Sequence, residues 1–248
     1  MIEEGANNMI YWIMAAICAF FIKGLCAFAN TLVFTTILSF GNNNINITPV
    51  ELMLGYPSNL IIGWKERKSA IWKVCLPMAG LVLLGNIPGI FLLKNVNPQT
   101  IKVIFGFVIA AIGIEMFLRE SKEKKSRKSK IVLGIIGLLS GVLCGLFGIG
   151  ALLAAYVNRV TDNNNAFRAN ICVVFLIENT FRIIIYMSMG ILTFDILKQA
   201  AVLIPAMLTG LFLGIKSSQI LDERIVKKTV IIMLLISGIA LIVNNIRI

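Results

Sequence analysis

The sequence predicts an all-α, polytopic membrane protein with about eight hydrophobic segments. Of its 248 residues, 58% are hydrophobic and 14% are charged, whereas about 25% of the residues in a soluble domain are charged. The apolar residues form long runs, and about 20 consecutive apolar residues cross a bilayer as a helix. This composition excludes a water-soluble enzyme and a nucleic-acid-binding module, even though the net charge is +11. The chain has no His, and we predict neither a metal site nor a cofactor.

Two of the segments are unusual because they are long and are interrupted midway by polar residues or glycines. They lie at 9–40 and 131–157. Irregular backbone at membrane depth is tolerated only where it is buried in protein or lines a cavity, so each is predicted to be broken or re-entrant. The other predicted segments lie at 48–64, 71–93, 100–118, 166–189, 196–215 and 226–243.

The two halves of the chain resemble each other. At a constant offset of 121 residues, KGLCAFANTLVF (23–34) aligns with CGLFGIGALLAA (144–155). The asparagines at 42–44, which we interpret as turn residues, align with those at 163–165 at the same offset. Because transporters are often built from such repeats, we predict an internal duplication. Its parts are a transmembrane repeat at 9–118, a basic linker at 119–130 and a second transmembrane repeat at 131–248.

The distribution of Lys and Arg predicts the topology. If all eight segments span the membrane, the basic residues divide 13 to 8 between its two sides. They divide 17 to 4 if each half opens with a re-entrant or broken hairpin. Cytoplasmic loops carry an excess of Lys and Arg, so the second arrangement is favoured. It inverts the two repeats, places the N-terminus outside, and places the linker 119–130 and Arg168 on the cytoplasmic side.

The interruptions at 24–30 and 145–150 are the predicted location of a ligand site. At the second interruption, Gly148 and Gly150 let backbone N–H groups approach a ligand, because neither residue carries a side chain. The N-termini of half-helices there would attract an anion. The glycines from Gly134 to Gly141 recur every third or fourth residue and are instead predicted to serve close helix packing.

Five ionisable residues lie inside predicted segments, where a buried charge costs several kcal/mol and is a functional candidate. Arg182 follows Glu178 by four residues, so the two can pair on one helix face. Two interpretations of this pair are open. Either the two residues only neutralise each other and hold helices together, or at least one of them binds substrate or a proton. Lys23 is expected to supply positive potential, and Glu178 is the best candidate for a coupling group. We expect Glu51 to snorkel to the membrane interface and Glu115 to pair beside the basic linker.

Neutral polar residues complete the predicted site. Asn30 and Thr31 follow the first interruption, and Ser58 aligns with Asn179 in the second half. Amide and hydroxyl donors, together with one cation, can replace the hydration of an anion without a metal. Alternatively, the amides bond to backbone groups freed by Pro57. The residues predicted to contact the anion are Asn30, Thr31, Ser58, Asn59, Gly148, Gly150, Asn179 and Arg182.

Three stretches of the chain resemble the two motif regions of the TauE/SafE sulfite-exporter-like membrane family. They are KGLCAFANTLVFTTILSF (23–40), TPVELMLGYPSNLIIGW (48–64) and GLFGIGALLAAYVNRVTDNNNAFRANICVVF (145–175). The resemblance implies a bacterial inner-membrane carrier of sulfite, sulfonates or related small organosulfur or organic anions, in a family whose substrates vary. Asn30 and Ala151 stand where the family usually has small residues or glycines.

These observations together predict a secondary transporter that moves a small anion across the cytoplasmic membrane by alternating access. The anion would bind near the midplane, between the two repeats. An anion channel or a non-transporting membrane scaffold is the alternative. An intramembrane enzyme would need an Asp pair, a Ser with a base or a metal cluster, so we predict no enzymatic activity. The expected partners are the small anion and the lipid bilayer, without nucleic acid, and a homodimer is compatible with the sequence.

Overall fold

The computed structural model describes residues 2–41, 47–95, 98–120, 130–148, 150–161 and 163–220, with separate positions between 228 and 243. Over these residues the chain is almost entirely α-helical and contains no β-strand, in agreement with the predicted fold class. Some predicted features lie outside the described residues. They are the asparagine turn at 42–44, most of the linker at 119–130, the side chain of Glu115 and most of the segment at 226–243.

The helices follow the predicted segments, and both predicted interruptions are present. The described helices are α1 (Ile2–Cys26), α2 (Asn30–Gly41), α3 (Ile47–Lys65), α4 (Trp72–Asn95), α5 (Pro98–Glu120), α6 (Lys130–Phe147), α7 (Ala151–Val160), α8 (Asn164–Ser188) and α9 (Phe194–Ser217). The first long segment is therefore divided into α1 and α2, and the second into α6 and α7. A short 3-10 turn, Arg67–Ser69, joins α3 to α4.

The two interruptions begin with the same backbone conformation. Ala27 and Gly148, which are 121 residues apart, have φ angles of +65° and +71°. Their amides each donate a 2.7 Å hydrogen bond to the carbonyl four residues earlier, at Lys23 and Cys144. The conformations then diverge, because Ala29 also has a positive φ, +70°, whereas Gly150 at the matching position has a φ of −102°. A left-handed conformation costs about 1–2 kcal/mol for a residue other than glycine, so the first interruption is the more strained of the two.

Helices from the two halves of the chain pack against one another. α1 lies along α9, α4 lies along α6, and α3 contacts α8. Glycines permit the closest approaches: a β-carbon on Gly24 of α1 or on Gly141 of α6 would come within 3 Å of backbone atoms of the facing helix. The packing role predicted for Gly141 is therefore confirmed. A β-carbon on Gly134 would meet no atom within 4 Å among the described residues, so the packing role of Gly134 stays a prediction.

Four described helices are long and apolar enough to cross a membrane. The stretches that meet this criterion are Met9–Cys26, Trp72–Phe91, Asn164–Ser188 and Phe194–Ser217. Large apolar side chains such as Leu84, Ile184 and Phe212 are exposed on these helices, where lipid takes the place of water as the surrounding solvent. The chain is a multi-pass membrane protein.

Candidate functional site

Four buried charged side chains from α1, α3 and α8 lie near the two interruptions. They are Lys23, Glu51, Glu178 and Arg182, which we call the buried charge cluster. Each of these side chains is at most 3% exposed. Two are formally positive and two are negative, so the formal charges of the cluster cancel. Mutual pairing is what makes charges tolerable at membrane depth.

The ion pair predicted between Arg182 and Glu178 is present. Arg182 Nη1 lies 3.5 Å from Glu178 Oε1, and Arg182 Nη2 lies 3.5 Å from the hydroxyl of Tyr186. The amide of Asn86, on α4, donates to the same Glu178 oxygen at 3.0 Å. Arg182 Nε has no hydrogen-bond partner among the described residues. A buried guanidinium with an unused donor is suited to receive an anionic oxygen.

The second interruption packs directly onto this arginine. A β-carbon on Gly148 would lie 2.8 Å from Arg182 Nη1, so the position has no space for a larger residue. The Gly148 carbonyl accepts a 3.0 Å hydrogen bond from the hydroxyl of Thr31, at the start of α2. This bond ties the two interruptions together. Gly150 lies against the ring of Phe175, which a β-carbon at that position would overlap.

The first interruption contributes donors that meet the carboxylate of Glu51. The Asn30 amide donates to Glu51 Oε1, and the Thr31 hydroxyl is a second neighbour of this carboxylate. A methyl group on Gly55 would lie 3.3 Å from Glu51 Oε1, 3.6 Å from Asn30 Nδ2 and 3.7 Å from Asn179 Nδ2. Polar groups of α2, α3 and α8 therefore converge on the face of Gly55.

Glu51 does not snorkel, and this prediction is wrong. Its side chain is 3% exposed and interacts electrostatically with Lys23 and Arg182. Pro49 and Val50 are buried as well, which means that protein encloses the start of α3. The position of Glu51 near a segment end was therefore misleading. Glu51 and Gly55 are one helical turn apart, so the absence of a side chain at Gly55 leaves space on the helix surface for the side chain of Glu51. This spacing of four residues is a signal that can be read in the sequence.

Two further polar residues were missed in the sequence. Arg168 is 4% exposed and donates to the carbonyls of Gly24 and Leu25, both at 3.0 Å. The last carbonyls of a helix have no partner within the helix, so Arg168 closes the end of α1 with a cation, which the helix dipole favours. From the sequence alone, Arg168 is predicted only to be a cytoplasmic charge. Asn86 was overlooked because it is a single amide in an apolar segment.

Two cavities adjoin these residues. A cavity of about 520 Å³ lies at the ends of α3, α8 and α9. It is lined by Lys65, Glu66, Asn164, Asn165, Arg168, Ser218 and Gln219. A second cavity, of about 10 Å³, lies between the two interruptions and has room for about one water molecule. The residues lining it include Asn30, Thr31, Gly148, Gly150 and Phe175. The site between the interruptions is thus closed, and Arg168 lies between the larger cavity and the end of α1.

Ser58 and Asn59, the remaining predicted residues, are buried on α3. The Ser58 hydroxyl donates to the Gly55 carbonyl of its own helix at 2.6 Å, and Asn59 Oδ1 has no partner among the described residues. The predicted residues that lie together around Glu51 and Arg182 are Lys23, Asn30, Thr31, Gly148, Glu178 and Asn179.

A comparison with models of protein families shows the family to which the chain belongs. A family model described as sulfite exporter TauE/SafE matches residues 12–241, a range that contains both interruptions and the whole buried charge cluster. No curated protein and no solved structure matches the chain. The resemblance seen in the motif regions is confirmed by a match over nearly the whole length. The chain therefore belongs to the TauE/SafE sulfite exporter family of membrane transporters.

Proposed function

We propose that this protein is a secondary transporter that moves sulfite, a sulfonate or a related small anion across the cytoplasmic membrane by alternating access. The observation that carries the proposal is the junction of the two interruptions. Thr31 of the first interruption bonds to Gly148 of the second, and Gly148 lies directly against Arg182. In many transporters, discontinuous helices form the substrate site and direct their half-helix N-termini at anionic groups, and α2 and α7 begin at this junction.

The helix contacts support two repeats related by a twofold exchange, and the distribution of Lys and Arg favours the inverted form of that relation. If α1, α3 and α4 correspond to α6, α8 and α9, exchanging the halves turns the α1–α9 contact into the α6–α4 contact. The same exchange leaves the α3–α8 contact unchanged, and all three contacts are present. In inverted repeats, rocking one half against the other opens a fixed site alternately to the two sides of the membrane.

The donors around Arg182 suit an anion with several oxygens. Arg182 Nε and the amides of Asn30 and Asn179 supply N–H groups, while the Thr31 hydroxyl donates to the Gly148 carbonyl and holds the two interruptions together. Hydrogen bonds from charged donors to anionic oxygens are about twice as strong as neutral ones. Glu178 is held by both Arg182 and Asn86, so we assign it to positioning the guanidinium. Lys23 adds positive potential from α1.

Anion binding can be tested by the thermal unfolding of the purified protein. We would measure unfolding with sulfite, sulfate, thiosulfate, methanesulfonate, taurine, sulfoacetate, acetate and chloride. A ligand that binds only the folded state stabilises it by about 2.7 kcal/mol at one hundred times its Kd. We expect a sulfur oxyanion or a sulfonate to raise the unfolding temperature, and the same anion to show saturable counterflow in liposomes. Linear flux would indicate a channel, and neither binding nor flux would contradict the proposal.

Asn179→Ala is expected to weaken anion binding by about tenfold or more, because a hydrogen bond to a charged group contributes about 1.5–3 kcal/mol. Thr180→Ala is the matched control. Thr180 is the next residue of α8, is exposed, and donates to the Leu176 carbonyl at 2.7 Å. The measurement is the anion concentration that gives half of the maximal thermal shift. Equal values for the two variants would remove Asn179 from the site.

Gly55→Ala is expected to reduce anion flux by about tenfold, a change that corresponds to about 1.4 kcal/mol. The added methyl group would occupy the point on which Glu51, Asn30 and Asn179 converge. Stability should not fall, because Ala favours a helix interior over Gly by about 1 kcal/mol. Gly80→Ala is the control, since Gly80 has no neighbour within 4 Å among the described residues. Unchanged flux in both variants would show that the anion does not approach Gly55.

A further inference from the structure

We propose that Glu51 is an internal competitor for the transported anion and the proton carrier of the transport cycle. In the closed protein its carboxylate occupies the position that the anion will take. When the anion binds, Glu51 takes up a proton and moves aside. This inference rests on the proposed function, which is anion transport at this site, and it adds the coupling ion and the residue that carries it.

The first argument is that the donors assigned to the anion already serve Glu51. The Asn30 amide donates to its carboxylate, and the positive charge of the Arg182 guanidinium attracts it. Asn179 Nδ2 approaches the same point in front of Gly55 as Glu51 Oε1 does. A carboxylate resembles a sulfonate or sulfite in carrying a negative charge on oxygens that accept hydrogen bonds. Glu51 therefore acts as a tethered anion in the unloaded site.

The second argument is the lack of space. The cavity between the interruptions, which is lined in part by Asn30 and Thr31, has a volume of about 10 Å³, and this is room for about one water molecule. An anion with three sulfur-bound oxygens is larger than one water molecule and cannot be added to the site as it stands. It has to replace a group that is already there, and the group held by the same donors is the Glu51 carboxylate.

The third argument is charge. Within the buried charge cluster, Lys23 and Arg182 balance Glu51 and Glu178, and the nearby buried Arg168 is bonded to the carbonyls of Gly24 and Leu25. An added monovalent anion would therefore give the cluster an excess negative charge, which is costly. A proton on one carboxylate restores the balance. The titratable and charged groups that interact with Glu51 are Lys23 of α1, Cys144 of α6, and Glu178 and Arg182 of α8. Glu178 forms an ion pair with Arg182 on its own helix and accepts from Asn86, whereas Glu51 accepts from the neutral Asn30 amide, so we assign the displacement to Glu51.

The resulting cycle balances in protons and charge. On the loading side, water supplies one proton to the Glu51 carboxylate as one monovalent anion takes its place beside Arg182. On the other side the anion leaves, the proton returns to water, and the carboxylate returns to its donors. One proton and one monovalent anion cross together, so no net charge moves.

The test compares wild type, Glu51→Gln and Asp195→Asn in liposomes, with radiolabelled sulfite and methanesulfonate as the probes. Methanesulfonate is included because it does not titrate near neutral pH. Asp195→Asn is the matched control, because Asp195 lies exposed in the first turn of α9. We expect an imposed proton gradient to drive accumulation in wild type and Asp195→Asn. Glu51→Gln should retain anion binding and counterflow but lose at least about tenfold of the gradient-driven accumulation.

The outcomes separate this inference from the proposed function. If wild type neither binds nor moves either probe, anion transport itself is wrong. If wild type exchanges anions but Glu51→Gln accumulates them as well as wild type does, only the role of Glu51 is overturned. Loss of anion binding in folded Glu51→Gln would also overturn it, because removing a competitor should not weaken binding. If Glu51→Gln does not fold, the pH dependence of anion binding to wild type provides the test. Its affinity for methanesulfonate should fall by up to about tenfold for each unit by which the pH rises, and an affinity that does not change with pH would overturn the inference.

Discussion

Arg182→Ala is expected to abolish anion binding and to lower the free energy of unfolding by about 3–5 kcal/mol, the usual result of breaking a buried ion pair from one side. Glu178 would keep the Asn86 amide but would lose the cation 3.5 Å from its carboxylate oxygen. The measurements are thermal unfolding of the purified protein and anion counterflow in liposomes. Arg67→Ala removes the same charge from an exposed position and should leave both nearly unchanged.

A paired substitution separates the stability effect of Arg182 from its role in binding. Replacing a buried ion pair by apolar residues of similar size is often neutral or stabilising. We therefore expect Arg182→Met combined with Glu178→Leu to recover most of the stability lost in Arg182→Ala. Anion binding should stay absent in this double variant, because no cation remains beside Gly148. If the double variant bound the anion as wild type does, Arg182 would be only a structural cation.

Gly148→Ala is expected to lower the free energy of unfolding by about 1–3 kcal/mol and to eliminate transport. A side chain at φ +71° is strained, and its β-carbon would lie 2.8 Å from Arg182 Nη1. The hydrogen bond from Thr31 to the Gly148 carbonyl holds the backbone in place. The Arg182 guanidinium, and not the backbone, would therefore have to shift. The measurements are the unfolding temperature and the rate of anion counterflow.

Gly190→Ala is the control for this prediction, because it isolates the strain from the contact. Gly190 has a φ of +67° and no neighbour within 4 Å among the described residues. Its replacement should cost about 1–2 kcal/mol through the left-handed conformation alone, and transport should persist. If Gly148→Ala and Gly190→Ala behaved alike in both measurements, the contact between Gly148 and Arg182 would have no part in the mechanism.

Local features of the sequence predicted the helices, the two interruptions and the Arg182–Glu178 pair. Long apolar runs indicate membrane helices, and a spacing of four residues indicates that two side chains are neighbours on one helix face. These signals lie within one segment, and the matching of the two interruptions needed only a constant offset. The all-α fold class and the family could therefore be obtained without coordinates.

Contacts between distant segments could not be obtained in this way. Asn86 meets Glu178 across 92 residues of sequence, and Arg168 closes α1 across 143 residues. No local pattern encodes either pairing. Glu51 shows a second limit: the distance of a residue from a segment end gives its depth only if the segment starts at the membrane surface. The start of α3 is enclosed by protein, so the depth of Glu51 follows from tertiary packing.

The two interruptions use the same backbone turn but differ in stiffness. The first is built on Ala27 and Ala29, both at positive φ, whereas the second has Gly148 at the corresponding angle. Alanine resists this conformation by about 1–2 kcal/mol per residue, and glycine does not. In the transport cycle proposed above, the two interruptions act as hinges of inverted orientation, and this difference would give the two half-cycles unequal activation barriers. The protein would then show different apparent affinities for the same anion at its two faces. The methyl groups of Ala27 and Ala29 would be the origin of this asymmetry.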